Sequence, residues 1–532
     1  VKAASLWLEG NFDSETKREV ERVIREEPES LDDRFAHPLR FGTAGMRGLM
    51  GVGPNRMNVY TVRAATQGLA NFLGGAGSVV IGYDSRHHSR EFAEQAAGVL
   101  IANGIEVFLF DEIRPVPLLS FAVRHLTASA GILITASHNP SAYNGYKVYG
   151  SYGGQVVSPD DQRIIEEVEK IEHLDQIEVA PLNSPLLHWI GEEIDDAYLA
   201  ATDKMRSIDG SDELKVVYTP LHGSGITIVP KALERWGYTS VTLVEAQAEP
   251  DGAFPTVKVP NPEEDEALAL GIETMERVGG DLLLATDPDS DRVGIALADG
   301  SRLNGNEIAA ICLDWLAKQQ FEEPVGVAKS IVTSELFRAI AERRGWQCED
   351  LLTGFKYFGQ LIERWNSEES FHFLFGAEES YGYLLGQHAR DKDGVIACQL
   401  LCEIALDAKR SGYTLRDRLH QIYKRHGIYQ EKVVALSLSG DDPMIPLRAN
   451  LPTHFAGKRV VRVEDYQPAA DVLLFHLEGG EKLVARPSGT EPKIKLYCGA
   501  RSAYSEPVEE AIALCDQRAD QLLSALRAEM NL

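Results

Sequence analysis

The sequence predicts three similar α/β domains in series, with mixed, mostly parallel sheets, followed by a smaller C-terminal α+β domain. Three observations carry this. At 532 residues the chain exceeds what one ordinary core serves, and length alone suggests about three or four domains. A strand–helix rhythm begins near Ser78, restarts near Leu214 and restarts again after Asn304, as parallel sheets covered by helices require. Past about Ile428 that rhythm gives way to successive strands and one last helix.

Taken in order, a charged N-terminal stretch is helical in pattern over Ser14 to Glu27. Phe41-Gly42-Thr43-Ala44-Gly45-Met46-Arg47-Gly48 follows, and its glycines would let backbone amides approach a ligand; a plain turn is the alternative. The first unit then reads strand Ser78–Tyr83, helix Ser89–Ala102, strand Ile105–Phe110, helix Val116–Arg124 and strand Gly131–Ile134. The second runs from the strand Leu214–Tyr218 through helices over Ile226–Trp236 and Glu263–Val278 to the strand Asp281–Thr286. The third alternates from the helix Asn306–Lys318 to the strand Phe371–Phe375 and the helix Val395–Lys409. Strands at Lys432–Leu438, Val472–Leu477 and Lys482–Arg486 and a helix from Pro507 make the last. The expected domains are 1–205, 206–303, 304–422 and 423–532.

Composition narrows the function. Apolar runs are strand-length, well short of the roughly 20 residues that span a bilayer. Val1 to Asp13 lacks the basic start and apolar core of a secretion signal. The six cysteines are scattered and form no Cys-x-x-Cys pair, as expected of reduced thiols in a cytoplasm. A formal charge of −27 argues against nucleic acid, and requires that an anionic substrate be caught by a local cationic site.

In each of the first three units a strand runs into a polar loop, at the end of the strand where open α/β sheets bind ligands. Gly131–Ile134 opens into Thr135-Ala136-Ser137-His138-Asn139-Pro140, which presents a hydroxyl, an imidazole and an amide in succession. Asn144-Gly145 reads as a turn that folds back and brings Lys147 within reach. The reading is that Ser137 carries a phosphoryl group; the alternative is a polar turn with Ser137 as a cap. In the second loop Asp287, Asp289 and Asp291 stand at alternate positions and converge on a hard cation such as Mg²⁺. An EF-hand is excluded, because its sixth and twelfth positions would be Arg292 and Ala298. Arg292 either pairs with a phosphate or balances the acids. The third loop, Gly376-Ala377-Glu378-Glu379-Ser380, suits sugar hydroxyls. In the last domain Arg486-Pro487-Ser488-Gly489-Thr490-Glu491-Pro492-Lys493 offers a guanidinium, hydroxyls and turn amides to a phosphate. No Gly-x-x-x-x-Gly-Lys-Ser/Thr motif is present, so the chain is not a P-loop NTPase. A serine, a metal loop, a sugar loop and a phosphate cradle together suit phosphoryl transfer through a phosphoserine.

Phe41–Gly48, Thr135–Pro140, Asp287–Arg292, Gly376–Ser380 and Arg486–Pro492 resemble, in order, the five signature stretches of the α-D-phosphohexomutases. Gly145–Tyr149, Gly354–Phe358 and Ala389–Gly394 resemble the branch that holds bacterial phosphoglucomutases with animal phosphopentomutase and glucose-1,6-bisphosphate synthase. The resemblance implies a heart-shaped fold around a central cleft, in which the fourth domain closes. It implies Ser137 as phosphoserine, with Asp287, Asp289, Asp291 and an oxygen on Ser137 holding Mg²⁺. It implies Lys147 and Arg47 near the reacting oxygen and His138 beside the phosphoserine. Thr353, Gly354, Glu378 and Ser380 would read the sugar, and Arg486, Ser488, Gly489, Thr490 and Lys392 would grip the other phosphate. The implied activity is interconversion of glucose 1-phosphate and glucose 6-phosphate through a bisphosphate, with glucose 1,6-bisphosphate as activator. Pentose or mannose phosphates are the alternative small phosphosugar substrates. The expected enzyme is cytoplasmic, a monomer or homodimer, with no nucleic-acid or membrane partner.

Overall fold

The structure is a computed structural model that describes residues 2–42, 45–322, 324–438, 442–488 and 493–532. The described strands form four sheets, of six, five, four and six strands. The chain divides into two compact units. One comprises Val1–Leu303, Phe355–Leu374 and Tyr381–Asp407, the other Asn304–Gly354, Phe375–Ser380 and Ala408–Leu532.

The first unit holds two sheets built on one plan. In the six-stranded sheet Ala130–Ile134, Ser78–Tyr83, Glu106–Phe110 and Leu187–Ile190 pair in parallel, in that spatial order. Tyr143–Gly150 returns antiparallel beside Ala130–Ile134, and Gly45–Leu49 adds an antiparallel edge. In the five-stranded sheet Leu282–Thr286, Val216–Thr219 and Val241–Leu243 are parallel, and Val293–Leu297 returns antiparallel beside Leu282–Thr286. In both sheets the strand before the polar loop is buried along its whole length, as β-branched and leucine-rich runs covered on two faces should be. Helices Val59–Phe72 and Ser89–Ala102 help to close the first core, the former started by a capping box at Asn58. Each polar loop is therefore the turn of a β-hairpin, and each contains a non-glycine residue in the left-handed region: Ser137 at φ 52° and Ser290 at φ 52°.

Three local expectations are corrected. Asn144-Gly145 is not a turn but lies inside the strand Tyr143–Gly150; the chain has already reversed by residue 143, with Tyr143 N–H bonded to Pro140 O at 3.0 Å. Glycine is required at 145 for close approach, because a Cβ there would stand 2.4 Å from Thr135 O. Arg47 likewise lies on a strand, opposite Gly145, rather than in a loop. The strand expected over Phe371–Phe375 runs from His372 to Glu378, so Gly376, Ala377 and Glu378 are strand residues rather than loop residues.

The second unit contains the parallel pair Val325–Ser330 and Gln347–Leu351 and an antiparallel C-terminal sheet. In that sheet Ile428–Ser437, Lys493–Ser502, Lys482–Pro487, Leu473–Leu477 and Lys458–Asp465 follow one another, with helix Val508–Glu529 packed on it. Among the described residues no helix is long and apolar enough to cross a membrane.

Candidate active site

Ser137 is buried at the tip of its hairpin. Its Oγ donates to Asp287 Oδ2 at 2.9 Å and stands 3.1 Å from His138 Nδ1. Its own N–H is held by Thr135 Oγ1 at 2.8 Å, and that hydroxyl lies 2.7 Å from Asp84 Oδ2 and 3.1 Å from Asp289 Oδ2. Burial and the neighbouring cations Arg292 and Arg47 push His138 well below its ordinary value, so the imidazole beside Ser137 is neutral at pH 7. Arg47 donates to Asn139 Oδ1 at 2.8 Å.

The acidic loop is fixed by three elements of the same unit. Ser224 donates through N–H and Oγ to Pro288 O at 2.8 and 2.7 Å, Val116 N–H bonds Asp289 O at 2.9 Å, and Gly394 N–H bonds Ser290 O at 3.0 Å. Asp287 Oδ1 accepts the N–H groups of Asp291 and Arg292, each at 3.1 Å. The three carboxylates are buried and offer oxygens within 4.8 Å of one another. Lys147 lies 2.9 Å from Asp289 Oδ2 and 3.9 Å from Asp291 Oδ2, while Lys392 lies 3.0 Å from Asp291 Oδ2. Arg292 pairs with Glu263. Burial, together with Asp289 and Asp291, raises Asp287 well above the carboxylate range. Burial acts the same way on Asp291, but Lys392, Lys147 and Arg292 more than offset it and hold that group low.

This donor set fits a divalent cation. Asp289 Oδ1 and Asp291 Oδ1 are buried without a hydrogen-bond partner, which a folded protein tolerates where another ligand takes the lone pair. All three donors are hard oxygens, as Mg²⁺ and Ca²⁺ prefer. A cation there would also offset the mutual repulsion that raises Asp287.

The remaining expected residues belong to the second unit. Glu378 is buried at its strand end and accepts Gly354 N–H on Oε1 at 2.7 Å, which joins two residues expected to read the sugar. Gly354 has φ 118°, a conformation that favours glycine. Thr353 Oγ1 is buried with no hydrogen-bond partner, and Ser380 is half-buried. Lys482–Pro487 and Lys493–Ser502 form a hairpin closed by Ser488 N–H to Lys493 O at 2.8 Å. Arg486 lies opposite Lys495, so two cationic side chains share one face of that hairpin. Gly489 and Thr490, with Glu491 and Pro492, lie outside the described residues, as do Thr43 and Ala44.

Sequence reasoning missed Asp84 and Arg86. Arg86 is buried, lies 3.3 Å from Asp84 and donates to backbone carbonyls of the Ser137 hairpin. The available signal was position: Asp84-Ser85-Arg86 follows the parallel strand Ser78–Tyr83 at the sheet end where ligands bind. Asp391 was missed as well. It accepts Tyr149 Oη–H at 3.0 Å, Gln155 Nε2–H at 2.8 Å and the Lys392 N–H at 2.8 Å, and so fixes the backbone that carries Lys392.

Comparison with known proteins finds relatives over most of the chain. Residues 38–175, 196–300 and 304–426 match the phosphoglucomutase/phosphomannomutase α/β/α domains I, II and III. A phosphoglucomutase of Staphylococcus aureus (strain MSSA476) is 36% identical over 545 residues, covering 95% of this chain and 97% of its own. One from Staphylococcus epidermidis (strain ATCC 12228) is 36% identical over 513 residues, covering 89% and 93%. Among solved structures, parafusin, a Paramecium phosphoglucomutase in its open form, superposes with a TM-score of 0.71 at 19% identity, covering 92% of this chain and 95% of its own. A phosphoglucomutase/phosphomannomutase family protein of Burkholderia thailandensis gives 0.70 at 18% identity, covering 92% and 97%. These two show likeness of fold. The matched domains define a multidomain α/β isomerase of the intramolecular phosphotransferase type. The chain belongs to the phosphoglucomutase/phosphomannomutase family.

Proposed function

We propose that the protein interconverts glucose 1-phosphate and glucose 6-phosphate, with Ser137 as phosphoryl carrier. The observation that carries this is the placement of Ser137 Oγ 2.9 Å from Asp287 within a buried acidic triad that fits a divalent cation. The near full-length relatives named phosphoglucomutase support glucose over mannose or pentose phosphates.

In this reading the hydroxyl oxygen of a sugar monophosphate attacks the phosphorus of phospho-Ser137. The P–Oγ bond breaks, and a bisphosphate forms. The attacking hydroxyl loses its proton as its O–P bond forms, and the neutral His138, 3.1 Å from Ser137 Oγ, takes that proton and delivers it to Oγ as the P–Oγ bond breaks. Lys147 and Lys392 set positive charge beside the transferring group, and Arg47 orients Asn139 at the loop. Asp287, Asp289 and Asp291 would hold Mg²⁺, which when bound offsets charge on the phosphoryl oxygens. Glu378, Ser380, Thr353 and Gly354 bind sugar hydroxyls. Arg486, Ser488, Gly489 and Thr490 hold the phosphate that does not react, and accept each end of the bisphosphate in turn. The second transfer reverses the first and restores phospho-Ser137, so trace glucose 1,6-bisphosphate primes the enzyme. The proposed domains are 1–205, 206–303, 304–422 and 423–532. Six free, buried cysteines support a reducing, cytoplasmic setting.

The test is initial rates with glucose 1-phosphate, mannose 1-phosphate and ribose 1-phosphate, with Mg²⁺ and trace glucose 1,6-bisphosphate, and inorganic phosphate assayed in the same tubes. Glucose 1-phosphate should be preferred without phosphate release, and Ser137→Ala should abolish turnover. A pentose preference changes the substrate; full turnover in Ser137→Ala removes the phosphoserine mechanism.

A further inference from the structure

We propose that Arg86, counter-charged by Asp84, is the positioning residue that presents Ser137 Oγ for phosphoryl transfer; the proposal rests on Ser137 as carrier. Its guanidinium binds the carbonyl side of the whole hairpin. Nη2 donates to Ser137 O at 2.5 Å and to Asn139 O, and Nη1 donates to Pro140 O at 2.9 Å and Tyr143 O at 3.0 Å. Four carbonyls spread over seven residues thus converge on one planar, permanently charged group.

Something must hold them. Ser137 stands at φ 52°, in the left-handed region that a residue with a Cβ enters at a cost and keeps only when its surroundings fix it. With the carbonyls of 137 and 139 turned onto Arg86, the Ser137 side chain is directed to Asp287. Asp84 grips the other side of the same residue. Its Oδ2 lies 2.7 Å from Thr135 Oγ1, which accepts the Ser137 N–H, and its Oδ1 accepts Arg86 N–H at 2.9 Å and Ser89 Oγ–H at 2.7 Å. The pair therefore clamps Ser137 through residue 135 on one side and through 137–143 on the other.

Arg86 is 3% exposed, with the Phe254 ring 5.0 Å from its guanidinium carbon. Gly252 backs the same turn, where a Cβ would stand 2.3 Å from His87 N. Arg86 touches neither the triad nor any residue proposed to contact sugar. Its four loop acceptors are all backbone, so its hydrogen bonds act on the chemistry through the hairpin, while its charge, which also reaches Asp289 and Asp287, is kept in Arg86→Lys. Lysine would keep the charge, but its three N–H groups radiate from one centre and cannot span four carbonyls.

The experiment compares Arg86→Lys, Arg86→Met and Asp84→Asn with Ser137→Ala. It measures kcat and KM for glucose 1-phosphate, inorganic phosphate released by enzyme charged with glucose 1,6-bisphosphate, and the ³¹P spectrum of the charged enzyme. Arg86→Lys should lose about 100-fold in kcat, the scale of a roughly 1 Å misplacement, while KM moves less than about threefold. Its phosphoserine should still form, with a shifted or broadened ³¹P resonance and faster loss to water. If Arg86→Met does not fold, Arg86→Lys and Asp84→Asn carry the same comparison. Folded Arg86→Lys with wild-type kcat and an unmoved resonance overturns the proposal, as does a kcat loss that only matches the unfolded fraction. Those results leave the carrier reading intact, provided that Ser137→Ala is inactive. Turnover in Ser137→Ala overturns both.

Discussion

Asp287, Asp289 and Asp291 in the first unit, and Lys329, Glu335, Asp350 and Lys482 in the second, are both clusters of charge withdrawn from water. They differ in what each charge has for company. Lys329 Nζ is fully buried and meets Glu335 at 2.9 Å, Asp350 at 2.9 Å and Thr333 O at 3.3 Å. Lys482 Nζ meets Ile331 O at 2.8 Å, Thr333 O at 2.6 Å and Glu335 at 2.8 Å. Each ammonium thus uses all three of its donors. The triad is the opposite case. Three carboxylates face the ammonium groups of Lys147 and Lys392 and an Arg292 that is shared with Glu263 and stands 3.9 Å from Asp291 Oδ1, and two carboxylate oxygens have no hydrogen-bond partner. A closed cluster of this kind supports a fold; an open one with excess acid is prepared for a further cation. Ser330 Oγ and Thr333 Oγ1, in the turn that the closed cluster braces, bond Glu379.

The comparison predicts opposite costs. Lys329→Met leaves acids without their buried partner and should destabilise the protein by about 3 kcal/mol in urea unfolding. The cost is at the low end for a broken buried pair because Glu335 retains Lys482 and Asp350 retains Arg338 at 2.6 Å. Activity per folded molecule should remain. A loss below about 0.5 kcal/mol, the level of an ordinary surface change, would break the contrast.

Asp289→Asn should do the reverse. It leaves two acids for two lysines, so unfolding without a divalent cation should be no easier than in wild type. Turnover should fall by about 10²–10³-fold, the scale for a group acting on transition-state charge. The wild-type rise in melting temperature on adding Mg²⁺, which follows from preferential binding to the folded state, should shrink or vanish. A variant that loses stability yet keeps its Mg²⁺ response would place Asp289 with the closed cluster.

The parts of the site legible in the sequence are those whose chemistry is contiguous. Ser137-His138-Asn139 and Asp287–Arg292 announce themselves because each loop carries its functional side chains within a few residues of a buried strand. Arg86 does not, because it acts through carbonyls 51 to 57 positions away, and a carbonyl has no sequence signature. Asn144-Gly145 misleads for a related reason: glycine serves a turn or a close approach equally well, and only the neighbour at Thr135 O decides which. Of the fold, the α/β units were legible from their strand–helix rhythm, although the parallel edge strand Leu187–Ile190 and the helix Val59–Phe72 were not read. The strand Lys458–Asp465 was not legible, because every one of its side chains is partly or fully exposed.

The smallest expected effect isolates the closed cluster through its pH dependence. Burial tends to raise Glu335, but Lys482 and Lys329 hold it well below its ordinary value of 4.5. A carboxylate lowered in the folded state binds its proton less readily than in the unfolded chain, so the unfolded state takes up more protons as pH falls. The stability this contributes is complete above pH 4.5 and is lost as pH falls from there through the folded value. Glu335→Gln removes the titrating group. Its unfolding free energy should therefore decline less steeply than wild type below pH 4.5, while the two run parallel above it. Asp287 is raised, but Lys392, Lys147 and Arg292 hold Asp291 low, so the triad has an acid-sensitive contribution of its own; Glu335→Gln leaves that contribution in place, and the change of slope it produces reports the closed cluster alone. Parallel curves for wild type and Glu335→Gln below pH 4.5 would mean that the lysine pair does not hold Glu335 ionised, and the closed cluster would lose its claim to be closed.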